Sequence, residues 1–281
     1  MSRNTLLAAL VLMAGCAGAR REAAAPVYRT AGAGELVASY NDNASKIPSL
    51  SANIEMTIYY TEEGRRKRYG AEAWLDVEKP GRLRLKHDAI GRELFYVVSD
   101  GSRFWVALDR SVAGGEDTVY TGAFKDLEKE SFLRPDRLLA AFSLLPLPPA
   151  GTSQTVFQAY NDRYVLEFLE GTEALRVLAR ATFDRTSLSL ARYEVFDEES
   201  RLALDVEYQK YMNVSGAEVP ELVSIDWPLD GMSVAAKVEK AKVGGELPAR
   251  LWQFQWRKDA RVIELAPAMT IHEGSDDGAG E

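Results

Sequence analysis

One residue of this chain is placed for covalent chemistry. Cys16 is the only cysteine among 281 residues, and it stands directly after Leu12-Met13-Ala14-Gly15. The run from Leu6 to Met13 is apolar, and Arg3 puts a positive charge ahead of it. A bilayer-spanning helix needs about 20 apolar residues, so this stretch is too short to cross and reads as a secretory signal. With no second cysteine, no disulfide can form within the chain. His87 and His272 are far apart in sequence, so no Cys/His metal cluster and no zincin motif is present. There is no G-x-S-x-G, no P-loop and no dinucleotide-binding glycine fingerprint. Carboxylates are plentiful, at 42 Asp and Glu, but nothing singles out an acid–base pair. No cofactor is implied, and a hydrolase is the weakest of the functional readings.

Leu12-Met13-Ala14-Gly15-Cys16 resembles the lipobox of bacterial lipoproteins, with Met13 where Leu is commoner. The resemblance implies cleavage before Cys16, then acylation of its sulfur and of the new amino terminus. Each buried methylene contributes about 0.8 kcal/mol, and two or more acyl chains anchor stably. Residues 1–15 are then a lipoprotein signal peptide, and the mature chain is held at a membrane without a spanning helix. Ala17 stands where an inner-membrane retention signal places Asp. That favours the periplasmic face of the bacterial outer membrane.

The formal net charge is −8. An acidic chain is a poor nucleic-acid binder, and an anionic membrane surface repels it except through local basic patches. Arg65-Arg66-Lys67-Arg68 is such a patch, at a hairpin tip. It is a candidate membrane contact, at about 1 kcal/mol per charge near anionic lipid, or a solvated turn balanced by Glu62 and Glu63.

The elements that would position these residues follow from periodicity. Residues 16–33 are the lipidated cysteine and a small, charged, Pro-interrupted tether. Residues 34–47 place Leu36, Val37, Tyr40, Ala44 and Ile47 on one helical face, and Pro48 ends the helix. Residues 50–60 alternate apolar and polar, as a half-buried strand does. A second strand spans 68–77, with Tyr69, Ala71, Ala73, Leu75 and Val77 on one face. Leu83 and Leu85 alternate with Arg and Lys, and strands at 95–98 and 104–108 flank an Asp-Gly turn. Further strands are read at 164–169, 177–183, 191–196, 202–208, 222–227, 233–243 and 251–256, with an edge strand at 261–265. Residues 133–145 form an apolar helix with Pro135 in its first turn, stopped by Pro146, Pro148 and Pro149. A helix apolar on nearly every side belongs against the oily face of the sheet. Residues 274–281 are acidic and Gly-rich, so 266–281 reads as a disordered tail.

In this order the motifs resemble the LolA/LolB superfamily of lipoprotein carriers and receptors, over roughly residues 34–256. The matching features are the leading helix, Lys79-Pro80-Gly81-Arg82-Leu83-Arg84, Ser99-Asp100-Gly101-Ser102-Arg103-Phe104-Trp105, the mid-chain apolar helix, and Val219-Pro220-Glu221-Leu222-Val223-Ser224-Ile225. The resemblance implies an α+β domain over 34–265. Its large curved antiparallel sheet forms an incomplete β-barrel, with helices covering the concave face and a cavity between them for acyl chains. Inward positions then become candidate lipid contacts: Ile54, Met56, Ile58, Leu75, Leu83, Leu85, Phe104 and Val106 on strands, and Leu138, Leu139 and Phe142 on the helix. His87 shares their parity and reads as a satisfied core or rim histidine. The five tryptophans read as ordinary sheet residues. The implied partners are the membrane through the anchor, acyl chains of lipid or lipoprotein, and a periplasmic carrier or envelope protein. The alternative is a structural lipoprotein whose barrel is filled and which docks a partner in an envelope complex.

Overall fold

The computed structural model describes residues 26–62, 64–89, 92–113, 116–123, 135–148, 154–172 and 174–265. Cys16, the signal segment, most of the tether and the acidic tail lie outside them. Three α-helices are described: α1 (Ala33–Ser45), α2 (Arg110–Ala113) and α3 (Pro135–Ala141). The strands are β1 (Ser49–Glu62), β2 (Arg65–Glu78), β3 (Arg82–Ala89), β4 (Arg92–Asp100), β5 (Arg103–Leu108), β6 (Thr118–Ala123) and β7 (Gln154–Ala159), followed by β8 (Arg163–Glu170), β9 (Arg176–Asp184), β10 (Leu190–Phe196), β11 (Leu202–Val214), β12 (Ala217–Trp227), β13 (Met232–Val243) and β14 (Arg261–Glu264).

All fourteen described strands belong to one open, curved sheet, ordered β14-β6-β5-β4-β3-β2-β1-β13-β12-β11-β10-β9-β8-β7. It consists of two antiparallel meanders, β1 to β6 and β7 to β13, with β14 added parallel to β6 at one edge. They are fused where β1 pairs antiparallel with β13, from Leu50 opposite Val243 to Tyr59 opposite Ser233. The alternation read from the sequence sets the faces. On β2, Ala71, Ala73, Leu75 and Val77 are buried on the inner face, while Glu72 and Trp74 point out. The turns are fixed by close approach. A side chain at Gly81 would put its Cβ 3.2 Å from the Gly101 Cα, and Gly101 itself has a φ of 98°. The Ser99 hydroxyl joins the two turns, donating to the Gly81 carbonyl at 2.9 Å and accepting the Gly101 N–H at 3.0 Å.

The inner face carries two contiguous apolar clusters. One joins β8 to β12 with α1 through Leu166, Phe168, Phe183, Val206, Trp227 and Leu36. The other joins β1 to β4, β12 and β13 with α3 through Ile54, Leu75, Leu83 and Leu139. Burying each large side chain contributes about 1.5–3 kcal/mol. Helix α1 lies across one rim: Ala31 and Arg29 bond to Tyr164, and Asn43 bonds to Glu218. Arg29 also pairs its backbone with Arg185. Residues 29–33, read from sequence as the end of a tether, are therefore docked on the domain.

Two readings need correction. The stretch at 251–256 is not a strand. It is a 3₁₀ turn (Ala249–Trp252) followed by an irregular strap on the outer face. There Phe254 stacks on Tyr96 and Trp105, at 5.9 and 5.7 Å between ring centres, and Trp256 packs beside them. Its aromatic residues have strand-like alternation, but they cover a sheet face instead of extending the ladder. The mid-chain helix is also shorter than 133–145. After α3, Ser143 takes a φ of 57° and the chain turns away. The sequence reading also passed over β6 and β7.

Candidate functional site

The inner face beneath α3 is where the candidate lipid contacts meet. Ile54, Met56, Leu75, Leu83, Leu139 and Phe142 are buried in one cluster, with Ile58, Leu85 and Leu138 packed against it. Leu138 also touches the neighbouring cluster, so α3 spans the seam between the two. Phe104 and Val106 are buried on β5. Val106 opposes Val97, which belongs to the same inner face. Phe104 lies over Gly122, where a Cβ would sit 3.2 Å from its ring.

Besides this apolar packing, α3 is held by polar contacts that periodicity does not reveal. The Tyr208 hydroxyl, on β11, donates to the Ala140 carbonyl at 2.9 Å. From α1, the Tyr40 hydroxyl donates to the Leu145 carbonyl at 3.0 Å. Asn41 clasps the Leu147 backbone twice, donating to its carbonyl at 2.9 Å and accepting its N–H at 2.8 Å. Burial pushes the phenols of Tyr40, Tyr208 and Tyr211 well above their ordinary range, so they stay protonated and donate, and it raises that of Tyr193 as well. The Ser143 hydroxyl is buried beside them and has no hydrogen-bond partner among the described residues. Helix α3 and the segment to Leu147 thus form a flap. Its underside is oily, and it is pinned by hydrogen bonds from α1 and β11.

The remaining candidates fall elsewhere. His87 is buried, with Nδ1 2.6 Å from the Glu72 carbonyl and Nε2 2.9 Å from the Tyr69 hydroxyl. Both ring nitrogens are used inside the chain. Arg65, Arg66, Lys67 and Arg68 are exposed at the tip of the β1–β2 hairpin. That tip is at the rim opposite the one α1 crosses. The tryptophans share no rim: Trp227 is in the inner core, Trp105 is under the strap, Trp252 and Trp256 belong to the turn and strap themselves, and Trp74 is exposed on the outer face. Among the described residues, no group of His, Cys, Asp and Glu could hold a metal ion. No described helix is long and apolar enough to cross a membrane.

No family model matches the chain, and no curated protein matches it in sequence. Solved structures do match in shape. A putative outer membrane lipoprotein-sorting protein domain from Vibrio parahaemolyticus is 11% identical, covers 78% of this chain and 94% of its own, and has a TM-score of 0.51. A LolA superfamily protein from Nitrosomonas europaea is 13% identical, covering 78% and 97%, with a TM-score of 0.49. A DUF1329 family protein from Desulfovibrio piger is 14% identical, covering 78% and 94%, also with a TM-score of 0.49. By its open curved sheet, its inner-face helices and the first of these likenesses, the chain has a LolA/LolB-like fold.

Proposed function

We propose that this chain is a lipid-anchored envelope protein that holds acyl chains of lipid or lipoprotein cargo between the inner sheet face and α3. In this reading Cys16 carries the anchor, the domain works at the periplasmic face of the bacterial outer membrane, and cargo passes to or from a periplasmic carrier or envelope protein. The observation that carries it is the pairing of an apolar inner face with a short flap that packs on it through Leu139 and Phe142 and is pinned at its backbone by hydrogen bonds. Moving the flap exposes Ile54, Met56, Leu75 and Leu83 to an incoming chain. Burial of that chain is worth about 25 cal/mol per Å² of apolar area, and no residue need act as a nucleophile or a general acid or base.

A second reading has its own observation. The candidate contacts are buried against one another, as in a filled barrel whose surface docks a partner. One experiment separates the two. A chain beginning at Ala17 is purified without detergent, its organic extract is analysed by mass spectrometry, and the intact protein is weighed under native conditions. Co-purifying lipid in stoichiometric amount, lost in a folded Ile58→Asp variant, is the expected result. A lipid-free protein that also takes up no fluorescent fatty acid would leave the filled-barrel reading standing.

A further inference from the structure

The β2–β3 ladder is incomplete. It runs from Glu78 opposite Arg82 to Ala73 opposite His87 and stops. A register shift between His87 and Asp88 bends β3 away at that point. Residues 65–72 of β2 therefore pair with β1 alone, leaving a sheet edge open in mid-molecule. The His87 ring closes the bottom of the gap by meeting the Glu72 carbonyl. Since Glu72 turns its carbonyl to the open side, strand alternation turns the N–H and C=O of Gly70, Arg68 and Arg66 the same way. Among the described residues these backbone groups have no partner.

Two further observations say what fits there. Gly70 sits within the strand and is exposed, and nothing lies within 4 Å of where its Cβ would be. A glycine inside a strand often marks the close approach of another backbone. The charges at this edge are basic on both faces, since Arg66 and Arg68 take the outer parity and Arg65 and Lys67 the inner. Arg66 leans back over the Tyr59 ring at 4.9 Å, toward Asp226, so Arg68 is the outer-face charge of the open edge. A second copy of the same edge would oppose like charges, which destabilises a strand pair.

We infer that the open edge of β2 is a docking site for an extended, acidic segment of a partner protein, added as a strand beside Arg68 and Gly70. Backbone hydrogen bonds supply the affinity of such strand addition, and side chains supply its selectivity. This inference is independent of the lipid-binding reading.

The test uses the full chain in detergent micelles and three blocked peptides: alternating Val and Asp, alternating Val and Lys, and the Val–Asp peptide N-methylated at alternate residues. The Val–Asp peptide binds, with about a tenfold or larger preference over Val–Lys. Its affinity falls as salt is raised, and it slows amide exchange at Arg66, Arg68 and Gly70. N-methylation along the pairing edge abolishes binding. Gly70→Pro, which removes an outward N–H the sheet does not use, abolishes it too. If that variant does not fold, the N-methylated peptide carries the same test. Equal binding of the Asp and Lys peptides, indifference to N-methylation, protection at another edge, or no binding by any peptide overturns the inference.

Discussion

Arg257 is the residue on which the outer strap hangs. Its guanidinium reaches Asp109 at 2.6 Å, Asp117 at 2.7 Å and the Glu93 carbonyl at 3.0 Å, and both carboxylates are buried. Removing one partner of a buried ion pair strands the other charge, at about 3–5 kcal/mol. Arg257→Ala is expected to cost that much in denaturant unfolding. Burial alone would raise the Asp117 carboxyl, but hydrogen bonds from Arg257 and Arg110 outweigh it and hold the group below its ordinary range. A carboxyl lowered in the folded state stabilises above its unfolded value of about 4 and loses that contribution as pH falls through the folded value. Stability should thus be level from neutrality to about pH 5 and then fall with acid, and Asp117→Asn should flatten that fall. The buried phenols work at the other end of the scale. Above a pH of about 10 the unfolded chain releases phenolic protons that the folded chain keeps, so stability falls with alkali. Phenolate absorbance from Tyr40 and Tyr208 should appear only with unfolding. Tyr208→Phe removes one of two donors to the Ala140 carbonyl, which keeps the Ser143 N–H at 2.9 Å, an expected loss of about 0.5–1.5 kcal/mol.

At the scale of elements, α3 is the part the proposed reading requires to move. It is one short helix, and the segment that follows it is tied to α1 by the Tyr40 and Asn41 hydrogen bonds. Asn41→Ala is expected to speed amide exchange over 138–147 while leaving β1 and β2 unchanged, and to hasten uptake of a fluorescent fatty acid. Unchanged exchange over that segment would show that the flap is held by its oily underside alone. Periodicity made β1, β2 and most later strands legible, because each has one wet face and one dry one. It failed on β6, which is covered on both faces and shows no clean alternation. It also failed on β7, an edge strand with little burial. It misread the strap because aromatic alternation also suits a segment lying flat on a sheet. Of the site, the oily half was visible in Ile54, Leu75 and Leu139. The latch was not, since a phenol donating to a distant backbone carbonyl leaves no pattern in sequence.

Across the whole molecule, the two rims have different roles. The chain enters at the rim where Arg29 pairs with Arg185 and α1 crosses. The basic hairpin tip stands at the other, beyond the fourteen residues of β1. At about 3.3 Å per residue the rims are some 45 Å apart. If the chain is anchored through Cys16, the basic tip points away from that membrane. A fluorophore at Ser187→Cys should then be quenched by a quencher in the anchoring bilayer, and one at Gly64→Cys should not. Quenching at both would mean that the domain lies flat on the lipid.

The pairing of β1 with β13 bears on how the protein is made. Leu50 finds Val243 only after most of the chain exists. Until then the first meander has one edge unclosed, and Ile54, Met56 and Leu75 lack the neighbours that shield them. Contacts this distant in sequence form slowly, and exposed strand edges invite aggregation meanwhile. If the chain is exported as proposed, it must therefore cross almost completely before its core can close, and folding helpers on the far side would have their longest window on the β1–β2 hairpin.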